Sequence, residues 1–180
     1  MAPFPPPGGV LALDLGGVVG WCYGHLRGAR PTFGHWVCRL EGELEGERYL
    51  RLSNVLWETF DRLKPDRLII ERALRAGAMH NDFAMNQQIG MRAITLAEAA
   101  RCQLAIPHFF TTDLIRHEML GRMRFKKGKA KEAVLAWVRR EGYVVANDNE
   151  ADAIILWRYW VDAQRRGLGI NPALLWEDAE

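Results

Sequence analysis

Apolar and polar positions along the chain change rhythm twice. Residues 10–14 (Val-Leu-Ala-Leu-Asp) form a short apolar run, 15–17 (Leu-Gly-Gly) make a turn, and 18–23 return as a second run rich in Val, Trp and Tyr. Runs of that length bounded by glycine read as buried strands joined in a hairpin. A third strand fits 32–39, where Phe33, Trp36 and Val37 supply β-favouring side chains. The period then lengthens. Leu44, Tyr49, Leu52, Val55, Leu56 and Phe60 fall at helical spacing with charges between them, which predicts an amphipathic helix over 41–63. Lys64-Pro65-Asp66 stops it; 67–71 reads as a short buried strand, 82–102 as a long helix and 104–110 as another apolar run. Asp113 is placed to cap a short helix through Leu120, 121–128 is a basic loop and 130–141 an amphipathic helix. A last helix opens in the polar stretch 146–153 and runs to about Arg166. Three hairpin strands, then helix, strand, helix, strand and helices, predict an α/β domain. Its sheet is mixed and five-stranded, an antiparallel three-strand meander plus parallel strands, flanked by helices.

Composition narrows this picture. With 49% hydrophobic residues among 180, the chain holds enough apolar material for one domain with a full core. The proline-rich stretch 1–9 reads as an arm, 10–166 as the domain, and 167–180 as a tail in which Leu174, Leu175 and Trp176 offer docking groups. A net charge of +2 carries no message about partners, but its placement does: 116–140 is basic and the last residues are acidic. Cys22, Cys38 and Cys102 stand far apart without a Cys-x-x-Cys pair. That spacing argues against a disulfide framework and a cysteine zinc site, and for a reducing compartment. No apolar run reaches membrane-spanning length, and no basic stretch followed by an apolar one opens the chain. The expected location is the cytoplasm, with no membrane partner.

Candidate chemistry gathers at three acids. Asp14 ends the first strand against a Gly-Gly turn, Glu71 ends the fourth after Leu-Ile-Ile, and Asp152 lies about a turn inside the last helix among Ala151, Ala153 and Ile155. A helix start accounts for Asn147, Asp148 and Asn149 as caps, and for acids near the positive end of the dipole. It does not account for Asp152, because a carboxylate on an apolar helix face is costly unless a cation meets it. Strand-end acids are often only solvated loop residues. Three on elements able to converge at one sheet edge fit hard cations such as Mg²⁺ or Mn²⁺, a pair of which can drive phosphodiester hydrolysis.

Ala-Leu-Asp14-Leu-Gly, Ile-Ile-Glu71-Arg and Asn149-Glu-Ala-Asp152-Ala, in that order, resemble the RuvC family of Holliday-junction resolvases, which belongs to the RNase H-like nucleases. The resemblance spans about 11–161. It implies an RNase H-like fold and a metal-dependent, structure-selective endonuclease that resolves four-way DNA junctions by symmetric cuts. It also implies a divalent-metal site on Asp14, Glu71 and Asp152. Family members carry Asp or His three residues before the last acid, and here that position is Asn149. Helical spacing puts both Asn149 and Asp148 on the Asp152 face, so either is open as the fourth oxygen, and capping is as good a role for each. Leu74 stands where bacterial members often have an aromatic that stacks on bases.

The basic segment is the second constellation. Arg122, Arg124, Lys126, Lys127, Lys129 and Lys131 precede the helix that leads towards the acidic cluster. Such a run is usually a solvated face, but here it is suited to neutralising backbone phosphates. The resemblance marks Lys131 as the lysine nearest the scissile phosphate, with Lys127 and Lys129 as the alternatives. Arg72 and Arg75 are open as phosphate contacts or as structural partners of the acids, and His80 and Asn81 are open to face DNA or solvent. The five histidines show no metal-ligand spacing, and Trp57, Trp137, Trp157 and Trp160 fit a core or a subunit contact.

Rival readings remain. Asp14-Leu-Gly-Gly resembles the phosphate loop of actin-like kinases, but those need two such halves and a Thr or Ser where Val18 stands. A non-catalytic DNA-binding or assembly module, or a nuclease for another branched DNA or an RNA–DNA hybrid, fits the same fold. One metal site per chain against two symmetric cuts predicts a homodimer. Phe83, Met85, Ile89, Met91, Ile94 and Leu96 surround the 82–102 helix, with Ala93, Ala97 and Ala100 between them. That makes it the expected interface, the alternative being burial within its own domain.

Overall fold

The computed structural model describes residues 8–28, 30–72, 82–105, 107–122, 124–126 and 128–167, and of Asp82 and Ala84 only the backbone. Strands β1 (Gly9–Asp14), β2 (Val18–His25) and β3 (Thr32–Val37) form the meander, and α1 (Glu45–Leu63) leads into β4 (Arg67–Glu71). Helix α2 (Asp82–Arg101), strand β5 (His108–Phe110), and helices α3 (Thr112–Leu120), α4 (Lys129–Arg140) and α5 (Asp148–Arg165) complete the chain. The sheet order is β3-β2-β1-β4-β5. β2 runs antiparallel to both β1 and β3, while β4 is parallel to β1 and β5. The expected mixed sheet is the one observed.

Buried on both faces, the central strands have apolar residues at every position rather than at alternate ones. Val10 and Ala12 of β1 and Ile69 of β4 face a core built largely from α5, including Ile154, Ile155, Trp157 and Trp160. Leu11, Leu13, Leu68 and Ile70 face the other core, with Leu52, Leu56 and Phe60 of α1 and Met91 of α2. Trp137, Trp157 and Trp160 are core residues, whereas Trp57 is 48% exposed, with the Arg101 guanidinium 4.9 Å over its ring.

Several element boundaries differ from the expected ones, each for a local reason. α1 begins at Glu45 rather than at 41, because Leu44 is extended and its N–H is taken by the Glu47 carboxylate at 2.9 Å. The apolar run 104–110 contributes only three strand residues, His108–Phe110. Gln103 turns left-handed (φ 56°) after α2, and Pro107 has no N–H for a ladder. Thr111, not Asp113, caps α3, accepting from Leu114 N–H at 3.4 Å. At the chain start, Gly8 and Gly9 N–H donate to the Asp66 carboxylate at 2.7 and 2.8 Å, which fixes where β1 begins. Leu74, Arg75, His80, Asn81, Lys127 and the tail from 168 lie outside the described residues.

Candidate functional site

Strand parity brings the first two acids together. Ala12 pairs with Ile69 and Leu13 with Ile70, so Asp14 and Glu71 stand one step further on at the carboxyl ends of adjacent parallel strands. Both share the face of Ala12 and Ile69, the α5 side of the sheet. The third acid arrives by a close approach. Asp14 pairs with Gly20 across the β1–β2 hairpin, and a Cβ on Gly20 would lie 1.9 Å from the Asn149 carbonyl oxygen. A bare backbone at that position lets the first turn of α5 settle on the sheet beside Asp14. That turn is well anchored. Asn147 caps it through Oδ1, accepting from Glu150 N–H at 3.0 Å. Buried Glu150 accepts from Ala146 N–H at 2.7 Å and pairs with His35 Nδ1 of β3 at 2.7 Å. Glu150 therefore points away from the acids, and Asp152 one turn after Asp148 points at them.

Asp14, Glu71, Asn149 and Asp152 line a cavity of about 320 Å³. Burial, then repulsion from Glu71 and Asp152, holds the Asp14 carboxyl well above the usual carboxylate range. Burial and Glu71 push Asp152 up to about 7, against the pull of Arg116 and Lys131. Buried carboxylates crowded in this way repel one another, and their all-oxygen donor set suits a hard divalent cation. Among the described residues no group of three or more His, Cys, Asp or Glu side chains is drawn together as a finished metal cage. The two candidates for a fourth oxygen differ in placement: Asn149 lines the cavity, whereas Asp148 is ion-paired with Lys131. That bond holds the Asp148 carboxyl below its usual range and the Lys131 amine above its own.

The lining is also cationic. Arg72, Arg92, Arg116 and Lys131 all line the cavity. The Arg92 guanidinium lies 4.0 Å over the Phe109 ring, and burial together with Arg72 lowers its pKa. Arg116 Nε and Gln88 Oε1 are buried without a hydrogen-bond partner among the described residues. The basic stretch divides: Lys131 reaches the cavity, Lys129 pairs with Glu132 at 2.7 Å, and Arg122, Arg124 and Lys126 are exposed on the surface. Arg92, Arg116, Gln88 and Thr112 were not legible as site residues in the sequence. Thr112 and Arg116 do stand four apart on α3, the spacing of one helix face, but nothing in the sequence says which way that face looks.

A mixed sheet in this order, with helices on both faces and acids at the carboxyl ends of its two central parallel strands, is an RNase H-like fold. More particularly, it is the RuvC-like form of that fold. The chain is similar to the structure of Thermus thermophilus RuvC at a TM-score of 0.71 and 16% identity, over 88% of this chain and 96% of that one. It is also similar to T. thermophilus RuvC in complex with Holliday junction substrate (TM-score 0.63, 12% identity, 89% and 96% covered). A third likeness is to the yeast mitochondrial Holliday junction resolvase Ydc2 (TM-score 0.56, 12% identity, 91% and 83% covered). No protein-family profile matches the sequence, and no curated protein does either. No helix among the described residues is long and apolar enough to cross a membrane.

Proposed function

We propose that this chain is a divalent-metal-dependent endonuclease that cuts branched DNA, with the four-way junction as its substrate. The observation that carries this reading is the convergence of Asp14, Glu71 and Asp152, from three separate elements of a RuvC-like fold, on one cavity that Arg72, Arg92, Arg116 and Lys131 also line. The three carboxylates would hold Mg²⁺, or Mn²⁺ in its place. Asn149 is the better placed fourth donor, since Asp148 is engaged by Lys131. A bound ion supplies Lewis acidity, lowering the pKa of a water and neutralising charge on the phosphate.

The chain's own residues do the rest. Arg116 and Lys131 line the same cavity as the acids, within electrostatic reach of Asp152, and would stabilise negative charge as it develops on a scissile phosphate. Arg72 and Arg92 add positive charge to the cavity, and the exposed Arg122, Arg124 and Lys126 add salt-dependent affinity. A two-fold homodimer would match the junction's own symmetry and bring two sites to two strands. Ile89, 55% exposed on α2, and the exposed Ala93, Ala97 and Ala100 provide an apolar face for close helix contact. The experiment is cleavage by the purified chain with Mg²⁺ of labelled four-way junction, linear duplex, flap and RNA–DNA hybrid. Preferential junction cutting, absent in chelator, is expected. Junction binding without any cutting would mark a non-catalytic module, and preference for the hybrid would move the substrate to RNA–DNA.

A further inference from the structure

Glu71 pairs in register with Phe110 of β5. The residue two beyond Phe110 falls on the same side of the sheet as Glu71, and that residue is Thr112, the first of α3. Its hydroxyl donates to Glu71 Oε1. The preceding residue, Thr111, already caps the helix through Leu114 N–H, so the Thr112 hydroxyl has no capping role. A glutamate has a flexible stem, and beside two other carboxylates its direction depends on what holds it. Thr112 supplies that hold from a β-branched side chain with few rotamers. It also adds no positive charge to compete with a cation, unlike Arg116 or Lys131.

We propose that Thr112 is a positioning residue for divalent-cation binding: its hydroxyl fixes one oxygen of Glu71 and leaves the other for the ion. This rests on the metal-site reading above. A hydrogen-bonding partner behind a ligating carboxylate orients it, and losing one typically lowers metal affinity about 10- to 100-fold.

The test is calorimetric titration of Mn²⁺ into the full chain without DNA, for wild type, T112V, T112S and E71Q, with thermal unfolding of each metal-free protein as the check on folding. T112V keeps the branched shape and loses the donor, so its affinity should fall about 10- to 100-fold while T112S retains most of the wild-type value. If T112V does not fold, T112A is read in its place. Wild-type affinity in T112V alongside lost binding in E71Q would overturn this inference and leave the metal site standing. Equal loss in T112V and T112S would also overturn it, because shape rather than the hydroxyl would then be responsible. A wild-type chain that binds no Mn²⁺ removes the metal site and this inference together.

Discussion

Gly20→Ala is a one-methyl change that alters no charge, yet it should disable the site. In the native structure the added Cβ would sit 1.9 Å from the Asn149 carbonyl oxygen, 2.4 Å from its carbon and 3.1 Å from Glu150 N. These are backbone atoms of the α5 first turn, so no side chain can rotate aside. Ordinary contact needs more than 3.0 Å to that oxygen, so strand and helix must part by over an ångström. Such overpacking costs about 1–3 kcal/mol of stability. A displacement of about 1 Å at a reacting centre costs about 10²-fold in rate, and here it separates Asp152 from Asp14 and Glu71. Junction cleavage should therefore fall about 10²-fold at a temperature where circular dichroism shows the variant folded. Gly20→Ala that is folded and cuts at the wild-type rate would refute the argument that α5 must rest on bare β2 backbone.

Further outcomes follow from the same geometry. Asp14→Asn, Glu71→Gln and Asp152→Asn should each lower cleavage by about 10²–10³-fold or more while junction binding in chelator persists, as gel shift would show. Lys131→Ala should reduce the cleavage rate more than affinity, whereas Arg124→Ala and Lys126→Ala should each reduce the slope of log affinity against log salt by about 0.9. Asp152 is an acid whose folded pKa, about 7, lies above its unfolded value, so the folded metal-free protein binds the extra proton. Its stability should fall as pH rises from the carboxylate range towards 7, a slope that Asp152→Asn reduces and that buried Asp14 shares. Mn²⁺ binding at pH 6 should accordingly release protons, measurable by calorimetry in buffers of different ionisation enthalpy. Ile89→Asp should shift light scattering at micromolar concentration from dimer to monomer; a wild-type monomer that cuts both strands in one binding event would remove the dimer.

The sequence was most legible where a residue's placement follows from strand parity. Asp14 and Glu71 each close an apolar run at a strand end, and two-sided burial of β1 and β4 is what makes those runs continuous. Asp152 stood out because it breaks an otherwise apolar helix face. Arg116, Arg92 and Thr112 gave no such signal, since their direction depends on how α2 and α3 pack rather than on local pattern. Gly20 looked like any glycine in a strand until α5 was laid across it. The charge run 122–131 was visible as charge, but only the turn that begins α4 brings Lys131 round to the cavity. Asp148 and Asn149 were equal by helical spacing, and a cross-element ion pair with Lys131 separates them.

The most direct measurement is the fate of a supercoiled plasmid carrying an extruded four-way cruciform, treated with the purified chain. Linear product is expected in Mg²⁺ from paired cuts on opposite strands, and none in chelator or with Asp14→Asn. Uncut plasmid in Mg²⁺ despite junction binding would contradict it, as would linear product that survives Asp14→Asn.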